Sequence, residues 1–161
     1  MWAMTFKRSL AIVLTAASLG VAPLAQTKPA SATGPAVAVY KTPTCGCCSK
    51  WVDHMKEAGF RMTVTDMPKE SLDNVKSKHK VPKAVHSCHT AVVDGYVIEG
   101  HVPASEVKRL LKERQKVAGI AVPGMPLGSP GMEAPGMTAH PYDVLSFDAA
   151  GTTKVFATIK P

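Results

Sequence analysis

From residue 36 onward, short apolar runs and amphipathic stretches take turns along the chain, and their two periodicities separate strands from helices. Ala36 to Tyr40 (AVAVY) reads as a short apolar strand. Trp51, Val52, Met55 and Ala58 recur at helical spacing, which predicts a helix over Ser49 to Ala58, with Pro43-Thr44 in the turn before it and Gly59 stopping it. Phe60 to Asp66 alternates, with Phe60, Met62 and Val64 on one side and Arg61, Thr63 and Thr65 on the other, the pattern of a half-buried strand. Pro68 stands where a helix can start, and Leu72, Val75 and His79 follow on one face. Thr90 to Val93 and Tyr96 to Glu99 are two strands joined by Asp94-Gly95, a strong two-residue hairpin signal. Pro103 opens a third helix through Glu113, with Val107, Leu110 and Leu111 facing inward.

The resulting order is β-α-β-α-β-β-α, which by itself supports a small α/β domain and matches the thioredoxin-like fold in order and approximate length. Residues 119–141 (GIAVPGMPLGSPGMEAPGMTAHP) are dense in Gly, Pro and Met and are read as a loop without secondary structure; P-G-M recurs there at Pro123, Pro130 and Pro135. Tyr142 to Phe147 and Thr153 to Ile159 read as two strands that add a C-terminal hairpin. A length of 161 residues suits one domain, here residues 36–161, and 45% hydrophobic content excludes a wholly disordered chain. Aromatic residues make up 6%, which argues against a stacking surface for nucleic acid.

Residues 1–32 differ in kind. Lys7 and Arg8 precede an apolar run from Leu10 to Leu24, and Ala30-Ser31-Ala32 fits an A-x-A cleavage site, so the segment reads as a signal peptide. The run falls short of the roughly 20 apolar residues needed to span a bilayer. The expectation is export, with no membrane attachment after signal removal. The segment holds Lys7, Arg8 and Lys28 and no acid, so the formal net charge of +7 falls to +4 in the remainder. Those charges are scattered, apart from Lys76, Lys78, Lys80 and Lys83, which read as a solvated face and not as a nucleic-acid patch.

Export matters because an oxidising compartment pairs thiols unless something else holds them. Cys45, Cys47 and Cys48 lie in C-G-C-C where the first strand gives way to the first helix, and Cys88 lies in H-S-C-H-T, from His86 to Thr90. By analogy with thioredoxin-like folds, that second loop packs against the C-x-x-C, so all four sulfurs should converge. Unpaired N–H groups and the macrodipole at a helix N-terminus favour thiolate. Four chemistries compete for such a cluster: two disulfides, a C-x-x-C dithiol oxidoreductase acting on protein partners, a tetrahedral zinc site, or a soft-metal site. Neighbouring cysteines cannot easily bridge each other, a dithiol enzyme has no use for Cys47 and Cys88, and zinc prefers two separated cysteine pairs. Thiolates favour Cu(I) and can bridge two ions, so the pattern favours a multinuclear copper site over zinc. His89 adjoins Cys88, His101 ends the second hairpin strand in G-H-V-P, and Met125, Met132 and Met137 offer thioethers on the loop. Met55 and Met62 sit at core positions, and His54, His79, His86 and His140 read as surface residues.

The stretches VYKTPTCGCCSKWVDHMKEAGF, SCHTAVVDGYVIEGHVPASEVKRLL and GIAVPGMPLGSPGME resemble the bacterial CopG-type copper-resistance proteins, exported metal-binding domains also filed as a domain of unknown function. The resemblance covers about residues 37–148. It implies a thioredoxin-like fold with a cysteine-bridged copper cluster, and a periplasmic role in copper resistance that includes oxidoreductase chemistry between Cu(I) and Cu(II). The partners it implies are copper ions and other periplasmic copper-handling proteins. Carried over residue by residue, Cys45, Cys47, Cys48 and Cys88 are the central ligands, with Met125, His89 and His101 beside them.

Overall fold

In the computed structural model, residues 33–160 are described; the expected leader over 1–32 lies outside them. Strand β1 (Ala36–Lys41) runs into helix α1 (Gly46–Glu57), then β2 (Arg61–Asp66), α2 (Lys69–Lys78), β3 (His89–Val93), β4 (Tyr96–Glu99) and α3 (Ala104–Glu113). Three further strands follow: β5 (Gly119–Ala121), β6 (Tyr142–Phe147) and β7 (Thr153–Ile159). One seven-stranded sheet results, in the order β2-β1-β3-β4-β5-β6-β7. β1 lies parallel to β2 and antiparallel to β3, β3 pairs antiparallel with β4, and β4 lies parallel to β5. The fold is α/β and thioredoxin-like in its first seven elements, with the expected Gly/Pro/Met-rich loop and added C-terminal hairpin.

Alternation along the strands feeds two cores. Ile98 and Ile120 join Val37, Val39, Trp51, Met55, Val107 and Leu110 in the larger one, between the sheet and helices α1 and α3. Their neighbours Val97 and Ala121 join Val81, Val85 and Phe147 in the smaller one. A period of two sends adjacent strand residues to opposite faces, so both faces are covered. At the hairpin, Asp94 (φ 48°) and Gly95 (φ 85°) both have positive φ, the requirement of the tight turn that the sequence signals there.

Four local expectations need correction. Helix α1 begins at Gly46 and not at Ser49, so Cys45 is its cap residue and Cys47 and Cys48 lie in its first turn. The cysteines carry no apolar periodicity, which is why the sequence pattern starts the helix late. Strand β2 is the sheet's outer strand with a neighbour on one side only; Phe60 is buried just ahead of it, but Val64 is 39% exposed. Residues 119–121, read as loop, form β5, the strand that carries the last hairpin onto the sheet. Three residues are too few to display a period. Lys76, read as part of a solvated face, is 2% exposed and pairs with the fully buried Glu99.

Candidate metal centre

The α1 N-terminus and the residues around Cys88 face each other. The Sγ atoms of Cys45, Cys47, Cys48 and Cys88 all lie within 4.8 Å of one another, although forty residues separate Cys48 from Cys88. Cys45 and Cys48 are joined as a disulfide with a Cα–Cα separation of 5.3 Å, and Cys47 and Cys88 are free thiols. Cys47 Sγ lies 3.5 Å from Cys45 Sγ. No acidic residue occupies the first turn of α1, so its free N–H groups present an uncompensated positive end to the sulfurs. Trp51, buried on the same helix, donates from Nε1 to the Val102 carbonyl at 2.8 Å and thereby fixes α1 against the segment that follows His101.

A second convergence shares Cys88. Its Sγ and ring nitrogens of His89 and His101 also lie within 4.8 Å of one another. His101 Nδ1 lies 2.8 Å from the Pro130 carbonyl, which fixes that nitrogen as the N–H donor. Nε2 is then the lone-pair nitrogen, and it faces Cys88 Sγ at 2.9 Å, so the thiol proton bridges the two. This arrangement, a ring oriented through its far nitrogen with the near one presented, is how ligating histidines are held. His89 is fully buried between the rings of Trp51 and His101, with Nδ1 3.5 Å from Cys88 Sγ. Its Nε2 is buried without a hydrogen-bond partner.

Burial keeps these groups neutral. It pushes the Cys88 thiol up to about 12, with the nearby Cys47 adding to the shift. Burial lowers His101 despite the bond to Pro130, and holds His89 well below the usual imidazole value, helped by His101, Lys76 and Lys41. Loading a cation here therefore means losing the Cys88 proton.

The Gly/Pro/Met loop closes over α1. A Cβ at Gly131 (φ +87°) would fall 2.6 Å from the Cys47 carbonyl oxygen, so only glycine permits this approach. Met125 is 52% exposed on the loop; the preceding Gly124 carbonyl accepts the Ser87 hydroxyl at 2.5 Å, tying the loop to the residue before Cys88. A cleft of about 270 Å³ lined by Lys69, Asp73, His86 and Ser87 reaches Cys88 from the α2 side. His54 is no free surface residue: its Nε2 accepts the Ala104 N–H at 3.1 Å and so caps α3.

Sequence reasoning missed the support beneath the cluster. Lys76 Nζ contacts Glu99 Oε1 at 2.5 Å and Thr90 Oγ1 at 3.0 Å; Glu99 also accepts the Ser87 N–H and the Thr90 hydroxyl, each at 2.7 Å. These bonds hold the backbone on both sides of Cys88. Leu72 and Lys76 share one helix face four residues apart, and that spacing was the signal available. Among the described residues, no helix is long and apolar enough to cross a membrane.

The donor types fit a soft cation such as copper: two free thiols, the two sulfurs of a reducible disulfide and two imidazoles meet around Cys88. Comparison with known proteins agrees. Residues 85–132 match the family described as "Protein of unknown function, DUF411". No curated protein matches the chain. Two solved structures are similar, both titled copper resistance protein copG. Form 1 is 41% identical, with a TM-score of 0.72, 80% of this chain covered and 100% of that one. Form 2 is 42% identical, with a TM-score of 0.70, 78% of this chain covered and 98% of that one. At that identity over the full length of the first neighbour, the chain belongs to the CopG-type copper-resistance family.

Proposed function

We propose that this protein is exported to the periplasm and binds Cu(I) there through Cys45, Cys47, Cys48 and Cys88, with His101, His89 and Met125 as further ligands. The observation that carries the reading is the meeting of four sulfurs within 4.8 Å at a helix N-terminus free of acids. Two electrons and two protons from a thiol reductant convert the Cys45–Cys48 disulfide to two thiols, completing a set of four. Cu(I) then displaces thiol protons, and shared thiolates hold more than one ion. His101 Nε2, already freed of a proton by the Pro130 bond, needs no deprotonation. Closure of two thiolates to the Cys45–Cys48 disulfide releases two electrons, enough to reduce two Cu(II) ions to Cu(I), so the site also suits copper redox chemistry. Copper-handling proteins of the same compartment would supply or receive the cargo.

The disulfide across C-x-x-C favours a second reading, a thiol–disulfide oxidoreductase acting on protein partners. Cys47→Ser separates the two. A bridged copper site loses metal in that variant, whereas a dithiol enzyme retains insulin reduction through Cys45 and Cys48. Elemental analysis of anaerobically purified protein, with a free-thiol count, tests the first reading. Two or more copper ions per chain support it. Robust insulin reduction by the metal-free protein, with no copper retained after Cu(I) loading, overturns it.

A further inference from the structure

Met132 and Met137, the methionines of the second and third P-G-M triplets, have no part in the thiolate cluster, and these two triplets have a common geometry. The Met132 N–H donates to the Ser129 carbonyl at 2.8 Å, with Pro130 second in the turn and Gly131 (φ +87°) third. The Met137 N–H donates to the Ala134 carbonyl at 3.1 Å, with Pro135 second and Gly136 (φ +76°) third. Pro followed by a positive-φ Gly is the pattern of a type II turn. Each turn therefore delivers a methionine at the same, fourth corner. The His140 N–H donates to the Leu127 carbonyl at 3.1 Å and closes the segment holding both turns. Met132 and Met137 line one small cleft of about 90 Å³, with Glu133 between them in sequence also part of its wall. Met137 is 55% exposed, so it is not there to fill the core.

We propose that Met132 and Met137 form a second site, built on thioethers, for a soft monovalent cation: Cu(I), or Ag(I) as its redox-inert analogue. Thioether sulfur selects soft ions and has no proton to lose. Binding here is accordingly independent of pH, unlike loading at Cys88. Glu133 adds negative charge at the rim, its Oε2 held by the Gly131 N–H at 2.7 Å. The turn that ends at Met132 contains Pro130, whose carbonyl binds His101. The outer site and the cysteine cluster are thus joined through one turn, which suits a cation that docks outside before passing inward. Naming copper as the natural ion rests on the reading above; the thioether site itself does not depend on the cysteines.

The test is NMR of the full chain carrying ¹³C-methyl methionine, titrated with Ag(I) until all sites fill, at pH 5.5 and 7.5. The Met132 and Met137 methyl signals should shift together, saturate with one equivalent beyond that taken by thiols, and do so alike at both pH values. Met137→Leu should weaken the Met132 response at least tenfold and leave metal–thiolate absorption unchanged; Met132→Leu should do the same to Met137. Methyl signals that stay in place while thiolate absorption grows would overturn this site and leave the cysteine reading intact. Methyl shifts without thiolate absorption would do the reverse. A Met132 response untouched in Met137→Leu would refute the pairing.

Discussion

Replacing Lys76 by Met is the sharpest test of how the cluster is held. The Lys76 and Glu99 side chains are 3% and 0% exposed, with Nζ 2.5 Å from Oε1. The variant keeps the stem's volume but strands the carboxylate among neutral donors, the Ser87 N–H and the Thr90 hydroxyl. Those two bonds exist before and after, so they offset none of the change. Removing one partner of a buried ion pair costs about 3–5 kcal/mol. Against a domain stability of about 5–15 kcal/mol, that is a large share. With a urea dependence of about 2 kcal/mol per M, the midpoint should fall by about 2 M. Far-UV circular dichroism of metal-free protein in urea gives the number. Adding Glu99→Gln removes the stranded charge and leaves an acceptor for the Ser87 N–H, so the double variant should regain at least about 2 kcal/mol of the loss, because a buried pair exchanged for neutral groups is often tolerated. A Lys76→Met midpoint within about 0.5 M of the parent, about 1 kcal/mol at that slope, would refute the reasoning. So would a double variant whose loss equals the sum of the singles.

Other outcomes follow from the same geometry. With its thiol pushed up to about 12 by burial, Cys88 in metal-free protein should be alkylated by iodoacetamide at pH 8 on the order of a thousand times more slowly than an unperturbed thiol, gaining tenfold per pH unit, as mass spectrometry of the peptide would report. Burial lowers the pKa of His54, so its stabilising effect is present above pH 6.5 and is lost as pH falls through the lowered value. His54→Gln, which can still accept the Ala104 N–H, should therefore flatten the acid limb of a stability profile. Gly131→Ala should cost about 1–3 kcal/mol and reduce copper retention, because its Cβ would press the loop away from Cys47; unchanged retention on elemental analysis would count against the loop's covering role. Val64→Thr, on the exposed outer strand, should change stability by less than about 0.5 kcal/mol in the same urea assay.

Periodicity made β6 and β7 legible to the residue, and the Asp94-Gly95 turn fixed the hairpin, because each rests on a local rule. β5 was not legible: Gly119–Ala121 is a strand only because β4 and β6 flank it. The cysteines announced a cluster by type and spacing, yet their seating in the α1 cap and first turn depends on a helix that starts before its apolar pattern does. His101 illustrates the remaining gap. Its place in G-H-V-P carried no information on how the ring is turned; Nδ1 bonds the Pro130 carbonyl of the loop and Nε2 turns to the sulfur, so one contact prepares the other. Lys76 was misread because charge normally signals water, and only a carboxylate from a distant strand reverses that.

Strands β5 and β6 stand side by side, with Ala121 opposite Leu145, so the span between them leaves and re-enters the sheet at adjacent posts. An arch with its feet pinned pays little for extra length, about 0.6 kcal/mol for each doubling. Away from the contacts made by Gly124, Pro130 and Gly131, the crown of the arch can therefore grow, shrink or change composition at small cost, while a one-residue slip at either foot would carry Pro130 away from His101 and leave the imidazole free to turn. Diversification of this protein for new cargo or new donors has an inexpensive place to occur, and it is the crown, not the posts.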